Sequence, residues 1–146
     1  MANSVAIGVA YADQTISNSA AVQVNAKTGI LGFNTGNPSV AIPAVTQGTS
    51  KSTGVTLNAA AGKITMNNAS LASATAVAFT LTNSQIGTGD ILLANASGGI
   101  ATAGTYQVHV LDVSAGAATI QVTNISGGAL SEAVVINFAT LQISAA

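Results

Sequence analysis

One side chain in this sequence is an ordinary candidate for general acid–base work near neutral pH, His109. A Ser–His–Asp arrangement would have to recruit it together with Asp112 or Asp90 and one of many serines, and no G-x-S-x-G turn is present to expose a nucleophile. The carboxylates Asp13, Asp90, Asp112 and Glu132 are scattered, so a glycosidase-type pair could arise only if the fold brought two of them together. Calcium would need a run of oxygen ligands of the D-x-D-x-D-G kind, which is missing. Cysteine is absent, which removes disulfides, thiolate metal sites and thiol nucleophiles together. Glycines are abundant, but no phosphate-cradling pattern opens a helix. Lys27, Lys51 and Lys63, with no arginine, are too few to neutralise a nucleic-acid backbone. The expectation is a chain that is not an enzyme, with no catalytic residues, no metal, no cofactor and no nucleic-acid partner. Asp90, in Gly87-Thr88-Gly89-Asp90, reads as a turn residue, and His109 as a solvated or interface residue in the outward phase of its strand.

The elements that would position these groups are strands. Apolar residues alternate instead of recurring every three or four positions. Val77, Phe79 and Leu81 alternate with Ala78, Thr80 and Thr82, and Tyr106, Val108 and Val110 with Gln107 and His109. Ile120 and Val122 alternate with Thr119, Gln121 and Thr123. Val55 and Leu57, the turn-prone Asn58–Gly62, then Ile64 and Met66 predict a hairpin. Val134, Ile136 and Phe138 lie in one phase and Leu141 and Ile143 in the other, which predicts a bulge near Ala139 and Thr140. A short helix is the reading for Asn68–Ala74. Turn clusters at Ser97-Gly98-Gly99, Ser114-Ala115-Gly116 and Ser126-Gly127-Gly128 separate the runs. The fold class that follows is all-β, an antiparallel, jelly-roll-like β-sandwich over residues 51–146. Ahead of it, residues 1–50 form an extended N-terminal β arm or small β layer. The expected inward set is Val55, Leu57, Ile64, Val77, Phe79, Leu81, Val108, Val110, Ile120, Val122, Ile136 and Phe138.

Composition says what such a fold is for. Charged residues make up 5% of the chain, against about 25% in ordinary globular domains. The net charge is −1 and the aromatic content 3%, with no tryptophan. So little charge protects poorly against self-association, a liability for a free monomer and no burden for a subunit facing neighbours. The arm carries Val5, Ile7, Val9 and Tyr11 on one strand face, with Ile30 and Phe33 further on. It is too apolar for a disordered tail and too small for its own core, so these six residues are the expected assembly contacts, completed by a second copy or another subunit. Ala10-Tyr11-Ala12 has the spacing of a signal-peptidase site, but no lysine or arginine precedes it, and a removed leader is not expected. No apolar run has the length of a membrane span. Asn68-Ala-Ser, Asn95-Ala-Ser and Asn124-Ile-Ser fit the glycosylation acceptor pattern, as chance triplets do in a chain rich in Asn, Ser and Thr.

Two further groups of residues carry a resemblance. Asn95-Ala-Ser-Gly-Gly99 and Asn124-Ile-Ser-Gly-Gly128 each follow a strand. Around them stand Ser52-Thr-Gly-Val-Thr-Leu-Asn58, Gly62-Lys-Ile-Thr-Met-Asn67, Phe79-Thr-Leu-Thr-Asn83 and Ile125–Ala133 leading into Ile136-Asn-Phe138. Over roughly residues 47–143 the pattern resembles a small β-sandwich module of tailed-bacteriophage virion proteins, found in capsid decoration proteins and in tail fibres or spikes. The resemblance implies a structural virion protein. The first reading is a capsid decoration (cement) protein, a homo-oligomer, most simply a trimer. It would be assembled in the host cytoplasm and bound to the major capsid protein on the outside of the head. The alternatives are a tail fibre or tailspike module for host attachment, or a bacterial surface-subunit domain.

Overall fold

The structure, a computed structural model, describes residues 42–143 continuously and, before them, the strands β1 (Val22–Val24) and β2 (Leu31–Phe33). The chain divides into two units, Met1–Ala41 and Ile42–Ala146. In the first, β1 and β2 pair antiparallel, Val22 opposite Phe33 and Val24 opposite Leu31.

The second unit is all-β, a sandwich of two four-stranded sheets. One sheet has the order β3 (Ala44–Thr46), β5 (Ala61–Thr65), β10 (Val135–Leu141), β7 (Ile91–Gly98). The other has the order β4 (Val55–Thr56), β6 (Thr75–Thr82), β9 (Ala117–Asn124), β8 (Tyr106–Ser114). From β3 to β8 each strand passes to the sheet opposite its predecessor, so neighbours within a sheet are rarely neighbours in sequence. That traffic produces two parallel pairings, β3 with β5 and β4 with β6. The sheets are therefore mixed and not wholly antiparallel, because a strand that returns after a crossover can run in the direction of its neighbour. The one tight hairpin joins β8 to β9 through Ala115 and Gly116, where Gly116 takes a φ of 78°.

Four sequence expectations are corrected. Val55–Met66 is not a hairpin, since β4 and β5 lie in different sheets. The link between them is held by the second sheet's end, with the Asn83 amide donating to the Ala59 carbonyl at 2.8 Å and the Ser84 N–H donating to Asn58 Oδ1 at 2.9 Å. Asn68–Ala74 forms no helix. Its backbone groups find other partners: Leu71 exchanges both hydrogen bonds with Leu130, and the Asn124 amide donates to the carbonyls of Leu71 and Ala72. With those bonds made, a helical turn has nothing left to satisfy. The bulge expected at Ala139 and Thr140 is absent. The alternation of β10 continues unbroken through Phe138 and Thr140 inward, leaving Leu141 exposed, and the register shift against β7 falls instead at Val135/Ile136. The expected boundary near residue 50 also lies too late, since Ala44–Thr46 is already paired in the sandwich.

Between the sheets lies a single aliphatic core. Of the expected inward set, Val55, Ile64, Phe79, Leu81, Ile120, Val122, Ile136 and Phe138 are buried, while Leu57, Val77, Val108 and Val110 pack against them partly covered. Met66, Leu71, Ile86, Leu92, Tyr106 and Val134 complete it. Each large aliphatic side chain taken fully from water contributes about 1.5–3 kcal/mol. With Phe79 and Phe138 as the only phenylalanines in the core among the described residues, packing depends on interdigitated Ile, Leu and Val.

Candidate functional site

The fold gives the titratable side chains separate tasks. His109 stands on the outer face of β8, exposed, opposite Gln121 of β9. Asp112 is exposed on the same edge, beside the extra residue Leu111, where β8 bulges between Val110 and Asp112. Asp90 is buried and closes a turn, its Oδ2 accepting from the Gly87 N–H at 2.7 Å and its Oδ1 from the Ile143 N–H at 3.2 Å. Glu132 is half-buried ahead of β10, its Oε1 accepting from the Ala101 N–H at 2.8 Å. Lys63 is exposed on the outer face of β5. Among the described residues no group of three or more His, Cys, Asp or Glu side chains comes together to hold a metal ion. His109 and its neighbours make no hydrogen-bonded relay to a serine among the described contacts.

The polar centre that does form is one the sequence did not announce. Lys51, read from sequence as one isolated lysine among three, is 4% exposed. Its ammonium donates to the Asn67 carbonyl at 2.6 Å and to the Glu132 carbonyl. Beside it the buried Gln47 amide donates to the carbonyls of Lys51 and Thr53, while its oxygen accepts from the Asn67 N–H. Burial lowers the Lys51 pKa from its ordinary value, and the nearby negative charge of Glu132 works against that shift. Tyr106 faces the same carboxylate. Its hydroxyl and Glu132 Oε2 are both buried, and burial first and the Glu132 charge second push the phenol above its ordinary 10.0. This cluster ties the segment before β4, the end of β5 and the approach to β10 into one piece. It is a lock between sheets: two of the ammonium's three N–H groups are satisfied by backbone carbonyls, the compensation a buried charge requires. A spacing of four between Gln47 and Lys51 in a turn-rich segment was the only sequence trace of it.

The outer faces carry the other distinctive feature. Among the described residues, Lys63 and Asp112 are the only exposed Lys, Asp, Glu or Arg side chains. Ala, Asn, Ser, Thr and Gly make up most of the rest, with a few Gln and His109, interrupted by exposed aliphatics: Ile91, Leu93 and Leu141 on the outer face of β7 and β10, Leu111 on β8, and Ile42, Ile125 and Ile143 in connections. The two Asn-x-Ser-Gly-Gly segments are not equivalent. Asn95 is exposed on β7, whereas Asn124 is fully buried, its amide donating to three carbonyls, so a glycan on Asn124 is incompatible with the fold. Of the residues expected to make assembly contacts, Val5, Ile7, Val9, Tyr11 and Ile30 lie outside the described residues, and Phe33 is described only by its backbone pairing with Val22. The chain matches no protein-family model, no curated protein and no solved structure.

Proposed function

We propose that this chain is a structural subunit of a virion, a capsid decoration (cement) protein of a tailed bacteriophage. It acts as a homotrimer on the outside of the head, bound to the major capsid protein, without an enzymatic activity of its own. The observation that carries the reading is the near-neutral surface of the sandwich, where Lys63 and Asp112 stand almost alone as exposed charges among the described residues. Solvated monomers of this size ordinarily spread charge over a quarter to a third of their surface positions, about 25–35%. Neutral Asn, Ser, Thr and Ala faces meet a partner without stripping water from ions, so a multi-copy contact can be modest per copy and still reinforce a shell strained by packed DNA.

The resemblance over residues 47–143 adds the particle, and the apolar residues Val5, Ile7, Val9, Tyr11, Ile30 and Phe33 supply the contacts that hold the chain on it. The test is stoichiometry. Quantitative mass spectrometry of purified particles should give a copy number on the scale of the major capsid protein. A handful of copies per particle would reassign the chain to the tail, and its absence from particles would end the virion reading.

A further inference from the structure

A sandwich has four edge strands, each with a row of backbone N–H and C=O groups open to an incoming strand. In this fold three of the four are blunted by recognisable devices. β3 is three residues long and follows Pro43, and β4 is two residues long. β8 is long but bulged at Leu111 and carries the exposed His109 and Asp112. A bulge and a charge both discourage pairing.

The fourth edge, β7, is the least protected. Its one irregularity, the extra residue Ser97, lies at its C-terminal end; from Ile91 to Ala96 it runs in unbroken register with β10, and Ile91–Gly98 contains no charged residue. Asp90, just before it, is buried in its turn. The outward side chains of β7 are Ile91, Leu93, Asn95 and Ser97. Ile91 is 47% and Leu93 54% exposed, and Leu141, directly opposite Ile91 on β10, is 44% exposed. No backbone hydrogen bond from β7 to anything but β10 exists among the described residues.

We propose that β7 is a self-pairing edge, at which two copies of this chain join antiparallel, β7 to β7, about a two-fold axis at Leu93. Three features select a second copy over a different protein. Free backbone groups in an extended row are matched in full only by another extended strand. The strand offers no charge by which to recognise an unlike partner, and in a two-fold pairing each residue meets its own kind or a near neighbour, which is unfavourable for charged strands and costs nothing here. Centred on Leu93, the pairing turns an exposed leucine into a cross-strand Leu–Leu pair, with Ile91 of each copy opposite Asn95 of the other. The two four-stranded sheets become one of eight strands, and the outer face keeps its side. A contact of one strand and its flanking aliphatics is smaller than a standard interface of about 800 Å² per partner. It therefore forms at high local concentration and, being two-fold, joins copies across trimers and not within one. It does not depend on where in a particle the chain resides.

The chain has no cysteine, which makes the test direct. Single variants Ile91→Cys, Leu93→Cys, Asn95→Cys and Ser97→Cys, with Thr80→Cys on the outer face of β6 as background, are oxidised as full-length protein and scored for disulfide-linked dimer. Retained circular dichroism establishes that each variant is folded. Leu93→Cys should give by far the highest yield, and a mixture of Ile91→Cys with Asn95→Cys should cross-link where each alone does not. Leu93→Lys, placing like charges across the axis, should abolish concentration-dependent dimer in sedimentation equilibrium. Yields at all four β7 sites no higher than at Thr80→Cys, or wild-type protein monomeric or trimeric with no further association at its highest soluble concentration, would overturn the proposal.

Discussion

Gly99 offers the sharpest test of how the ends of β7, β10 and β5 are held together within their sheet. It follows β7 with a φ of 68°, and a Cβ built on it would stand 2.0 Å from the Ala133 carbonyl oxygen, 2.9 Å from the Ala133 carbonyl carbon and 3.2 Å from Val134 Cα. All three contacts are backbone, so no side chain can rotate away. Relief requires the chain at Ala133 to move by more than an ångström. Val134 next to it is fully buried, and its carbonyl accepts the Met66 N–H at 2.8 Å, a bond that links the end of β5 to the start of β10. Gly99→Ala therefore combines a left-handed backbone penalty of about 1–2 kcal/mol with an overpacking cost of about 1–3 kcal/mol. The total of roughly 2–5 kcal/mol corresponds to a fall in Tm of roughly 8–20 °C for a unit of this size.

Gly89, Gly104 and Gly116 are internal controls. Their φ values are 87°, 80° and 78°, and nothing lies within 4 Å of a Cβ at any of them. Alanine at each should cost only the backbone term, about 1 kcal/mol after the gain from a stiffer unfolded chain is subtracted. Thermal and urea unfolding by circular dichroism across the four variants separates the two contributions. If Gly99→Ala loses no more stability than Gly104→Ala, the close approach of β7's exit to Ala133 is not the constraint described and the packing argument fails.

Phe79, 3% exposed, is one of two phenylalanines in the aliphatic core among the described residues, and Phe79→Ala should cost about 3–5 kcal/mol by urea titration. Lys51→Met keeps the stem and removes the ammonium, leaving the Asn67 and Glu132 carbonyls buried without their donor; each orphaned acceptor costs about 1–3 kcal/mol, measured as a shift in the urea midpoint at unchanged slope. The raised Tyr106 pKa means that the folded state holds the phenol proton longer than the unfolded chain does. Its contribution is complete below pH 10.0 and is lost as pH climbs through the raised folded value, so Tyr106→Phe should flatten the fall in Tm above pH 10.0. Lys51 acts in the opposite sense. With its folded pKa lowered, its charged form opposes folding until the proton leaves, so stability from this group rises as pH approaches 10.5, and Lys51→Met should remove that rise. His109→Gln, on an exposed face, should leave stability within about 0.5 kcal/mol and particle binding unchanged near neutral pH.

What the sequence determined by itself was the period and the phase. Side chains alternate with a period of two wherever one face of a strand is buried, so the inward set from Val55 to Phe138 was legible, as was the outward His109. The near-absence of charge was legible too, since it needs only counting. Connectivity was not. A turn-rich segment such as Asn58–Ala60 looks the same whether it folds a hairpin or carries the chain to the opposite sheet. Which one occurs is decided by remote groups, here Asn83 and Thr82 at the end of β6. The phase change at Leu141 needs no bulge, because the fold accepts exposure of a large aliphatic on the outer face of β10. Asn68–Ala74 had local helical character that non-local partners, Leu130 and Asn124, overrode.

The buried lysine shows the same division of labour. Its cage consists of backbone carbonyls at Asn67 and Glu132, and every residue has a carbonyl, so no sequence pattern marks which ones will be left free by the sheets. Only the tertiary structure, by ending β5 and starting β10 where it does, turns two ordinary peptide groups into a site for a charge.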